Sequence, residues 1–351
     1  MLRHLKSGTN MKKLFCAIIV SLAGTLLSNA QDLTARMVEH RKIWDQAPHN
    51  AFTDIIRFKG KWFCVFREGS GHVSPDGMVR VLTTDNGLWW EPAARLQMDG
   101  LDLRDPKVSV SPDGKYLVVV AAAAAREGAE KASMTQSIVA RSKDGWEWEK
   151  VSVIGAPNYW VWRITWHGEK AYGVAYATGH AVNKTGDHHS MLFSSRDGAE
   201  FEVVIPDFRA SRSPRPTEAT LRFDQAGNMI CLHRRDGEKP TALLGFGRPP
   251  YAEFVWRDLG AYFGGPNFIQ LPSGQWVACG RMKNVGPKKE TKTVLCQLYL
   301  DAGTLEPLLT LPSGGDSSYP GLQWHDGRLW ISYYSSHEGK ASIYLAKVEV
   351  K

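Results

Sequence analysis

The chain has 351 residues, of which 43% are hydrophobic and 23% charged, with a formal net charge of +7. Four of the 43 basic residues and none of the 36 acidic residues lie in the first thirty positions, so the remainder is close to neutral. No arginine-rich stripe is present, which argues against a nucleic-acid partner. No glycine-rich phosphate loop is present either, and no cofactor is predicted.

The N-terminal segment, residues 1–30, has the pattern of a secretory signal peptide. Two lysines precede an apolar run over residues 14–27, and small residues end the segment at Ala30. A positive flank, a short apolar core and small residues before the cleavage point mark such signals. We therefore expect a secreted or periplasmic protein; a retained N-terminal anchor helix is the alternative. No later segment is long and apolar enough to span a bilayer.

The rest of the chain repeats one pattern six times: an alternating apolar run, a turn containing glycine, and a second apolar run. The six segments begin 49–56 residues apart, at Ala51, Arg104, Trp160, Pro216, Gly265 and Tyr319. Period-two alternation around a short glycine turn predicts a β-hairpin. A hairpin with about thirty further residues makes one four-stranded propeller blade. The sequence therefore predicts an all-β fold, a single six-bladed β-propeller over residues 31–351.

Three further turns share a second pattern, in which Ser or Thr is followed by Asp, Gly and an aromatic residue. They cover residues 83–90, 142–148 and 195–201. The first is aligned with Asp85 as its acidic residue, which makes the second turn one residue shorter. Aspartate accepts hydrogen bonds from turn amides, and glycine allows a positive φ. We predict a structural role for these turns.

Cysteines and histidines give no metal motif. Cys64, Cys231, Cys279 and Cys296 follow the predicted signal peptide, and their spacings fit no zinc site. We interpret them as small buried hydrophobic residues, with Cys279 and Cys296 as the one pair left open as a disulfide. The histidines within residues 180–189 lack ligand spacing, and no metal is predicted.

The six hairpins and the Asp-containing turns together resemble the Asp-box sialidases, or neuraminidases, over essentially the whole chain after residue 30. The resemblance implies a divergent member of that superfamily, with a glycan bound at the central channel. It also implies three arginines that clamp a substrate carboxylate. A tyrosine paired with a glutamate is the nucleophile, and an aspartate in an early loop is the acid/base.

The resemblance assigns roles to residues near the blade starts. Tyr319 matches the nucleophilic tyrosine, and Glu218 matches the glutamate that pairs with it. Arg234 and Arg281 match the second and third clamp arginines. The remaining substrate-binding candidates are Arg67, Asp105, Arg163 and Trp160, of which Trp160 is predicted to stack on a sugar ring.

The sequence departs from that pattern at two places. Ala51 stands where the first clamp arginine belongs, and the loop after Arg67 offers His72 and Asp76 as acid/base candidates. Loss of one arginine weakens carboxylate binding. We therefore expect a sugar other than sialic acid, either a uronic acid or a neutral hexose.

The favoured function is a secreted, exo-acting glycoside hydrolase for a glycan, with an acidic sugar preferred. The alternatives are a non-catalytic carbohydrate-binding propeller and a polysaccharide lyase that uses Tyr319 and His72. A Tyr319 hydroxyl within hydrogen-bonding distance of Glu218 would favour the hydrolase. A Tyr319 side chain packed between blades would favour the binding protein.

Overall fold

A computed structural model describes residues 32–126, 132–179, 182, 188–208, 215–238 and 240–351. The predicted signal peptide, residues 1–30, lies outside the described residues. Asp32–Lys351 form one compact unit. Among the described residues, no helix is long and apolar enough to cross a membrane.

The described residues form six antiparallel sheets of four strands each, which confirms the predicted six-bladed propeller. In each sheet the first strand lies innermost, and strands are numbered along the chain. Blades one to three contain β2 (His49–Phe58), β3 (Lys61–Gly69), β4 (Met78–Thr84), β5 (Glu91–Leu96); β6 (Leu101–Val110), β7 (Leu117–Ala125), β8 (Met134–Ser142), β9 (Ser152–Ile154); β10 (Tyr159–His167), β11 (Lys170–Ala177), β12 (Ser190–Ser195) and β13 (Phe201–Ile205). Blades four to six contain β14 (Pro216–Phe223), β15 (Met229–Arg235), β16 (Leu243–Gly247), β17 (Val255–Asp258); β18 (Gly264–Gln270), β19 (Trp276–Val285), β20 (Glu290–Tyr299), β21 (Thr304–Thr310); β22 (Ser317–His325), β23 (Arg328–Ser335), β24 (Ser342–Val350) and β1 (Ala35–Trp44).

The last blade is built from both ends of the described chain. Strand β1 pairs antiparallel with β24, from Ala35 opposite Val350 to Trp44 opposite Ile343. This pairing supplies the fourth strand of blade six and closes the ring. A closed ring leaves no pair of blades with an open face between them.

Every inner strand carries a β-bulge at the same place. In each first hairpin two residues of the inner strand lie opposite a single residue of the second strand. The six bulges are Phe52-Thr53, Asp105-Pro106, Trp162-Arg163, Thr217-Glu218, Gly265-Pro266 and Tyr319-Pro320. Proline is tolerated at the second position of three of them because a bulged residue need not donate to the ladder. The bulges bend the strands and turn side chains toward the channel.

The hydrophobic core lies between neighbouring blades. Phe63 and Val65 of blade one, for example, pack in one cluster with Val119 and Ala121 of blade two. All four cysteines of the described chain are buried free thiols, so the disulfide left open between Cys279 and Cys296 is not formed. The interpretation of these cysteines as small buried residues is confirmed.

The three Asp-containing turns have one length and one hydrogen-bond pattern. Asp144 Oδ1 accepts from the Trp146 amide at 2.8 Å, and the Gly145 amide donates to Ser142 Oγ at 2.7 Å. In the first turn Asn86 Oδ1, and not Asp85, accepts from the following amide. The alignment on Asp85 was therefore wrong by one residue. In each turn the side chain that accepts the hydrogen bond belongs to the residue directly before the glycine, which in the first turn is Asn86.

Candidate active site

The bulges of blades four and six bring the predicted nucleophile pair together. Tyr319 is the first bulged residue of β22, and Glu218 is the second bulged residue of β14. Tyr319 adopts φ 51° and Ser318 φ 112°, a left-handed conformation that non-glycine residues seldom adopt. Such conformations cost free energy and persist where the surrounding structure enforces them. The backbone here is therefore held in the shape that directs the phenol at blade four.

Tyr319, Glu218 and Arg234 form one hydrogen-bonded cluster. The Tyr319 hydroxyl donates to Glu218 Oε1 at 2.5 Å, and Arg234 Nη1 donates to the same oxygen at 2.5 Å. Arg234 lies opposite the Glu218 bulge on β15, which explains their contact. The Gly265 amide donates to Glu218 Oε2 at 2.7 Å. Both carboxylate oxygens are thus fixed, and the side chain cannot turn away from the phenol.

Gly265 allows this close approach. A Cβ at this position would lie 3.0 Å from the Tyr319 amide nitrogen and 3.1 Å from its Cα, and the residue has φ 61°. A side chain would therefore push blades five and six apart at the site. Only glycine combines this backbone conformation with the required space.

The electrostatic surroundings fix the resting protonation state of the pair. Burial acts to raise the pKa of Glu218, but the charge and hydrogen bonds of Arg234 outweigh it and lower the pKa below its ordinary value. Burial, followed by the negative charge of Glu218, raises the pKa of Tyr319 well above its ordinary value. At neutral pH the carboxylate is ionised and the phenol keeps its proton. Glu218 is therefore placed to accept the proton of the phenol.

The arginines offer an incomplete carboxylate clamp. Ala51 is buried, and the bulge beside it presents Phe52, whose ring lies 5.2 Å from that of Tyr319. Arg234 is held by Glu218 and by Asp236, whose Oδ1 lies 3.0 Å from Nη2. Arg281 lies over the Tyr319 ring at 5.8 Å and, among the described residues, donates only to the Ser317 carbonyl, at 3.3 Å. Of the two arginines at the clamp positions, Arg281 alone has no carboxylate partner among the described residues.

Asp105 and Lys107 are two buried charged residues beside this cluster. Asp105 is the first bulged residue of β6, and its Oδ1 atom has no hydrogen-bond partner among the described residues. Burial raises its pKa, and Arg104 and Lys107 oppose the rise. The Lys107 ammonium lies 4.4 Å from the Trp162 ring centroid and 5.6 Å from that of Tyr319. Both groups lie near the phenol, and Asp105 Oδ1 is the one of their buried polar atoms that has no hydrogen-bond partner among the described residues.

Lys107 gives a prediction about stability. Burial lowers its pKa to about 8 from 10.5, while Asp105 acts to raise it. Between these values the unfolded chain binds more protons than the folded one, so stability rises with pH over this range. We expect Lys107→Met to stabilise the protein at pH 7, on the order of 1–3 kcal/mol. Urea unfolding at pH 7 and pH 10 measures this: the advantage of the variant should shrink at pH 10, and an equal difference at both would contradict it.

His72 lies on the channel rim and is hydrogen-bonded to Asp316, which lies 244 positions later in the sequence. His72 Nδ1 is 2.6 Å from Asp316 Oδ2, and His49 Nε2 is 2.9 Å from the same oxygen. The Tyr334 hydroxyl donates to Asp316 Oδ1 at 2.8 Å. Burial acts to raise the pKa of Asp316, but the hydrogen bonds from both histidines lower it well below its ordinary range. The Phe52 ring lies between His72, at 5.3 Å, and Tyr319.

Arg67 has a structural role that differs from the predicted substrate contact. Its guanidinium is 0% exposed; it donates to Asp102 Oδ1 at 2.7 Å, to the Gly71 carbonyl at 2.8 Å and to Ser74 Oγ at 2.8 Å. With its donors occupied and its surface covered, it anchors the loop that carries His72.

Asp76 does not have the environment of a general acid. Its carboxylate accepts from the Ser70 amide and hydroxyl, at 3.1 and 3.0 Å, within its own loop. Partial burial acts to raise its pKa, but hydrogen bonds from Ser74 and Ser70 outweigh it and lower the pKa. A carboxyl with a lowered pKa is ionised at neutral pH and has no proton to donate. Of the two acid/base candidates, the structure therefore favours His72.

Arg163 and Trp160, both predicted to bind substrate, have partners within the protein. Arg163 Nη1 and Nη2 lie 2.6 and 3.2 Å from the two carboxylate oxygens of Asp54, a bidentate pair that joins blades three and one. Arg163 and Asp54 line a cavity of about 340 Å³ at the opposite opening of the channel. Trp160 is 8% exposed and stacks on Tyr176 at 5.9 Å. The predicted substrate-binding role is least compatible with the structure for Arg163, because Asp54 already neutralises its charge.

Sequence analysis missed Asp316, His49 and Lys107. A positional signal was available for the first two: each precedes the first bulged residue of its blade by three positions, Asp316 before Tyr319 and His49 before Phe52. That offset places a side chain on the channel rim. Lys107 gave no signal, because a lysine inside a strand is ordinarily exposed.

Comparisons with known proteins give structural matches only. No protein-family model and no curated protein sequence matches the chain. A protein of unknown function from Dyadobacter fermentans superposes with a TM-score of 0.76 over 90% of this chain and 99% of its own, at 18% identity. An α-L-arabinofuranosidase of Fusarium graminearum, in complex with arabinobiose, matches with a TM-score of 0.68 over 89% of this chain and 97% of its own, at 15% identity.

A sialidase of Trypanosoma rangeli is similar in the same way. It matches with a TM-score of 0.66 over 91% of this chain, at 12% identity, and the chain spans 60% of the length of that sialidase. All these identities are low, so the likeness establishes the fold, in agreement with the six blades described above. This chain is a divergent six-bladed β-propeller with the fold of the sialidases and arabinofuranosidases.

Proposed function

We propose that the protein is a glycoside hydrolase in which Tyr319 is the nucleophile and Glu218 its base. The observation that carries the proposal is the 2.5 Å hydrogen bond between the Tyr319 hydroxyl and Glu218 Oε1. A phenol is a weak nucleophile until a neighbouring base accepts its proton. Tyr319 is only 8% exposed, but its hydroxyl joins the polar cluster of the channel and is not packed among apolar side chains. This favours a hydrolase over a non-catalytic sugar-binding propeller.

The reaction takes place in two displacement steps. Tyr319 Oη attacks the anomeric carbon and its proton passes to Glu218, while the glycosidic carbon–oxygen bond breaks. The leaving oxygen takes a proton from His72 Nε2, since Nδ1 is held by Asp316. His72 then removes a proton from water, which attacks the anomeric carbon and releases the tyrosine. The electron pair returns to the phenol oxygen, which recovers its proton from Glu218.

The charge distribution favours a neutral sugar. Arg234 is shared by two carboxylates, so a substrate carboxylate would find one unpaired guanidinium, Arg281, at the clamp. The sequence-based preference for an acidic glycan therefore changes to a neutral one. Asp105 Oδ1, which is buried and has no partner among the described residues, is placed to accept from a sugar hydroxyl.

Hydrolysis of a panel of aryl glycosides tests the function. We expect release of the aryl group from neutral sugars, with α-L-arabinofuranosides included because of the structural match, and little from sialosides. A product with an unsaturated uronate would show a lyase instead. Sugar binding without release from any substrate would contradict the hydrolase and favour the binding propeller.

His72 gives a second expected result, which depends on the leaving group. A general acid matters most when the leaving oxygen is strongly basic, and such catalysis contributes about 10²- to 10⁴-fold. We expect His72→Gln to lower kcat/KM, which reports the first displacement, by this factor for alkyl glycosides and to change kcat/KM little for dinitrophenyl glycosides. His167→Gln is the matched control, since His167 is exposed and stacks on Phe223 away from the site. Equal losses on both substrates would remove His72 from the role of acid.

A further inference from the structure

We propose that His49, His72 and Asp316 bind a divalent transition-metal ion, with zinc as the representative ion, at the rim of the channel. The three side chains come from separate segments: His49 is the first residue of β2, His72 lies in the loop after β3, and Asp316 directly precedes β22. Their potential ligand atoms all lie within 4.8 Å of one another. The proposal stands independently of the hydrolase, because it rests on this cluster alone.

The spacing of the three side chains is close to that of a zinc centre. Zinc binds histidine nitrogen and carboxylate oxygen at about 2.0–2.2 Å in a tetrahedral arrangement, which places ligand atoms about 3.3 Å apart. Asp316 Oδ2 lies 2.9 Å from His49 Nε2 and 2.6 Å from His72 Nδ1. Outward shifts of about half an ångström would admit the ion. The two imidazole rings stand nearly perpendicular, at 78°, with centroids 5.3 Å apart.

The surrounding residues hold the carboxylate in place. Tyr334 donates to Asp316 Oδ1, the oxygen that does not face the histidines, at 2.8 Å, and the Asp316 amide donates to Ser336 Oγ at 2.9 Å. Outer hydrogen bonds of this kind orient metal ligands and raise their affinity. Arg104 Nη1 donates to the His72 carbonyl at 2.8 Å, and it contacts Asp102, a carboxylate that it shares with Arg67 and Arg126. His49 is buried, and Arg67 anchors the loop that carries His72. Both ligands are therefore largely ordered before the ion binds, which lowers the entropy cost of binding.

Two features distinguish this cluster from a closed structural zinc site: one ligand position is open to solvent, and one histidine lacks an outer hydrogen-bond partner. His72 is exposed, so a fourth position faces the solvent and would be filled by water or by a ligand oxygen. His49 Nδ1 is buried with no partner among the described residues, whereas metal-bound histidines usually donate this proton. The missing partner lowers affinity, and we expect exchangeable binding.

Direct binding of zinc tests the proposal without any substrate. We expect calorimetry to show one equivalent bound to the wild type, and at least about a 100-fold loss of affinity in His49→Gln and Asp316→Asn. Cobalt in place of zinc should give the visible absorption of a four- or five-coordinate site. His167→Gln is the control for an exposed histidine outside the cluster, and it should bind like the wild type.

Several outcomes would overturn the site. Absence of saturable binding would do so, and so would unchanged affinity in both cluster variants when their thermal unfolding shows that they are folded. Zinc occupies His72 Nδ1, so it should also slow the proposed hydrolysis over the same concentration range as binding. Binding without inhibition would leave the metal site in place and remove His72 from the hydrolytic mechanism.

Discussion

Tyr319→Phe is expected to lower kcat on any glycoside that the wild type hydrolyses by at least about 10³-fold. The substitution removes one oxygen, the proposed attacking atom, and leaves the ring among Phe52, Trp162 and Tyr334. Because the ring stays, substrate affinity should change far less than turnover. Steady-state kinetics on the best substrate of the panel measures both.

Two comparisons sharpen this test. Tyr333→Phe removes another buried hydroxyl, which donates to the Pro312 carbonyl at 2.8 Å and lies on the next strand away from the site. It should cost about 1 kcal/mol of stability and no activity. Combining Tyr319→Phe with Glu218→Gln should reduce kcat little further than either change alone, since the two residues act as a unit. Near wild-type turnover of Tyr319→Phe would refute the tyrosine nucleophile.

Arg163→Met is expected to lower the free energy of unfolding by about 3–5 kcal/mol, the usual cost of breaking a buried ion pair. The change leaves Asp54 buried, with the Val108 amide at 2.9 Å as its main remaining donor. Denaturant unfolding of the wild type and the variant gives the difference. The result distinguishes a structural role of Arg163 from the substrate-binding role that was predicted from the sequence.

Two further variants act as controls for this result. Arg141→Met breaks an ion pair of similar length, 2.8 Å to Glu149, between partly exposed side chains, and should cost less than about 1 kcal/mol. The double change of Arg163→Met with Asp54→Asn should recover much of the lost stability, because no unpaired charge remains buried. If Arg163→Met unfolded like the wild type but bound substrate more weakly, the sequence-based role would be correct.

The fold was predictable because its signals are local and repeated. Each hairpin, such as the one that turns at Gly60, is encoded within about twenty consecutive residues, and six copies at nearly regular spacing allow few architectures. The position of Tyr319 at the start of the last inner strand was predicted for the same reason. Register within a turn was less secure, and the choice of Asp85 over Asn86 shows the limit.

The candidate site was predictable only where one strand determines a position. Whether a charged side chain faces a ligand or another part of the protein depends on residues far away in sequence. Arg163 is neutralised by Asp54, 109 positions earlier, and Asp316 meets His72 from 244 positions later. Neither partner could be identified from local pattern, because nothing in one blade specifies which side chain the neighbouring blade presents.

The pairing of β1 with β24 sets the order in which the site can form during synthesis. Blade six needs the first and last strands of the described chain together, and Tyr319 lies on its inner strand. Glu218 and Arg234 emerge from the ribosome 101 and 85 residues before the phenol that they contact. Until the ring closes they lack this partner, as His49 and His72 lack Asp316. The cluster of Tyr319, Glu218 and Arg234 and the cluster of His49, His72 and Asp316 are therefore late products of folding, and their formation reports that the ring is complete.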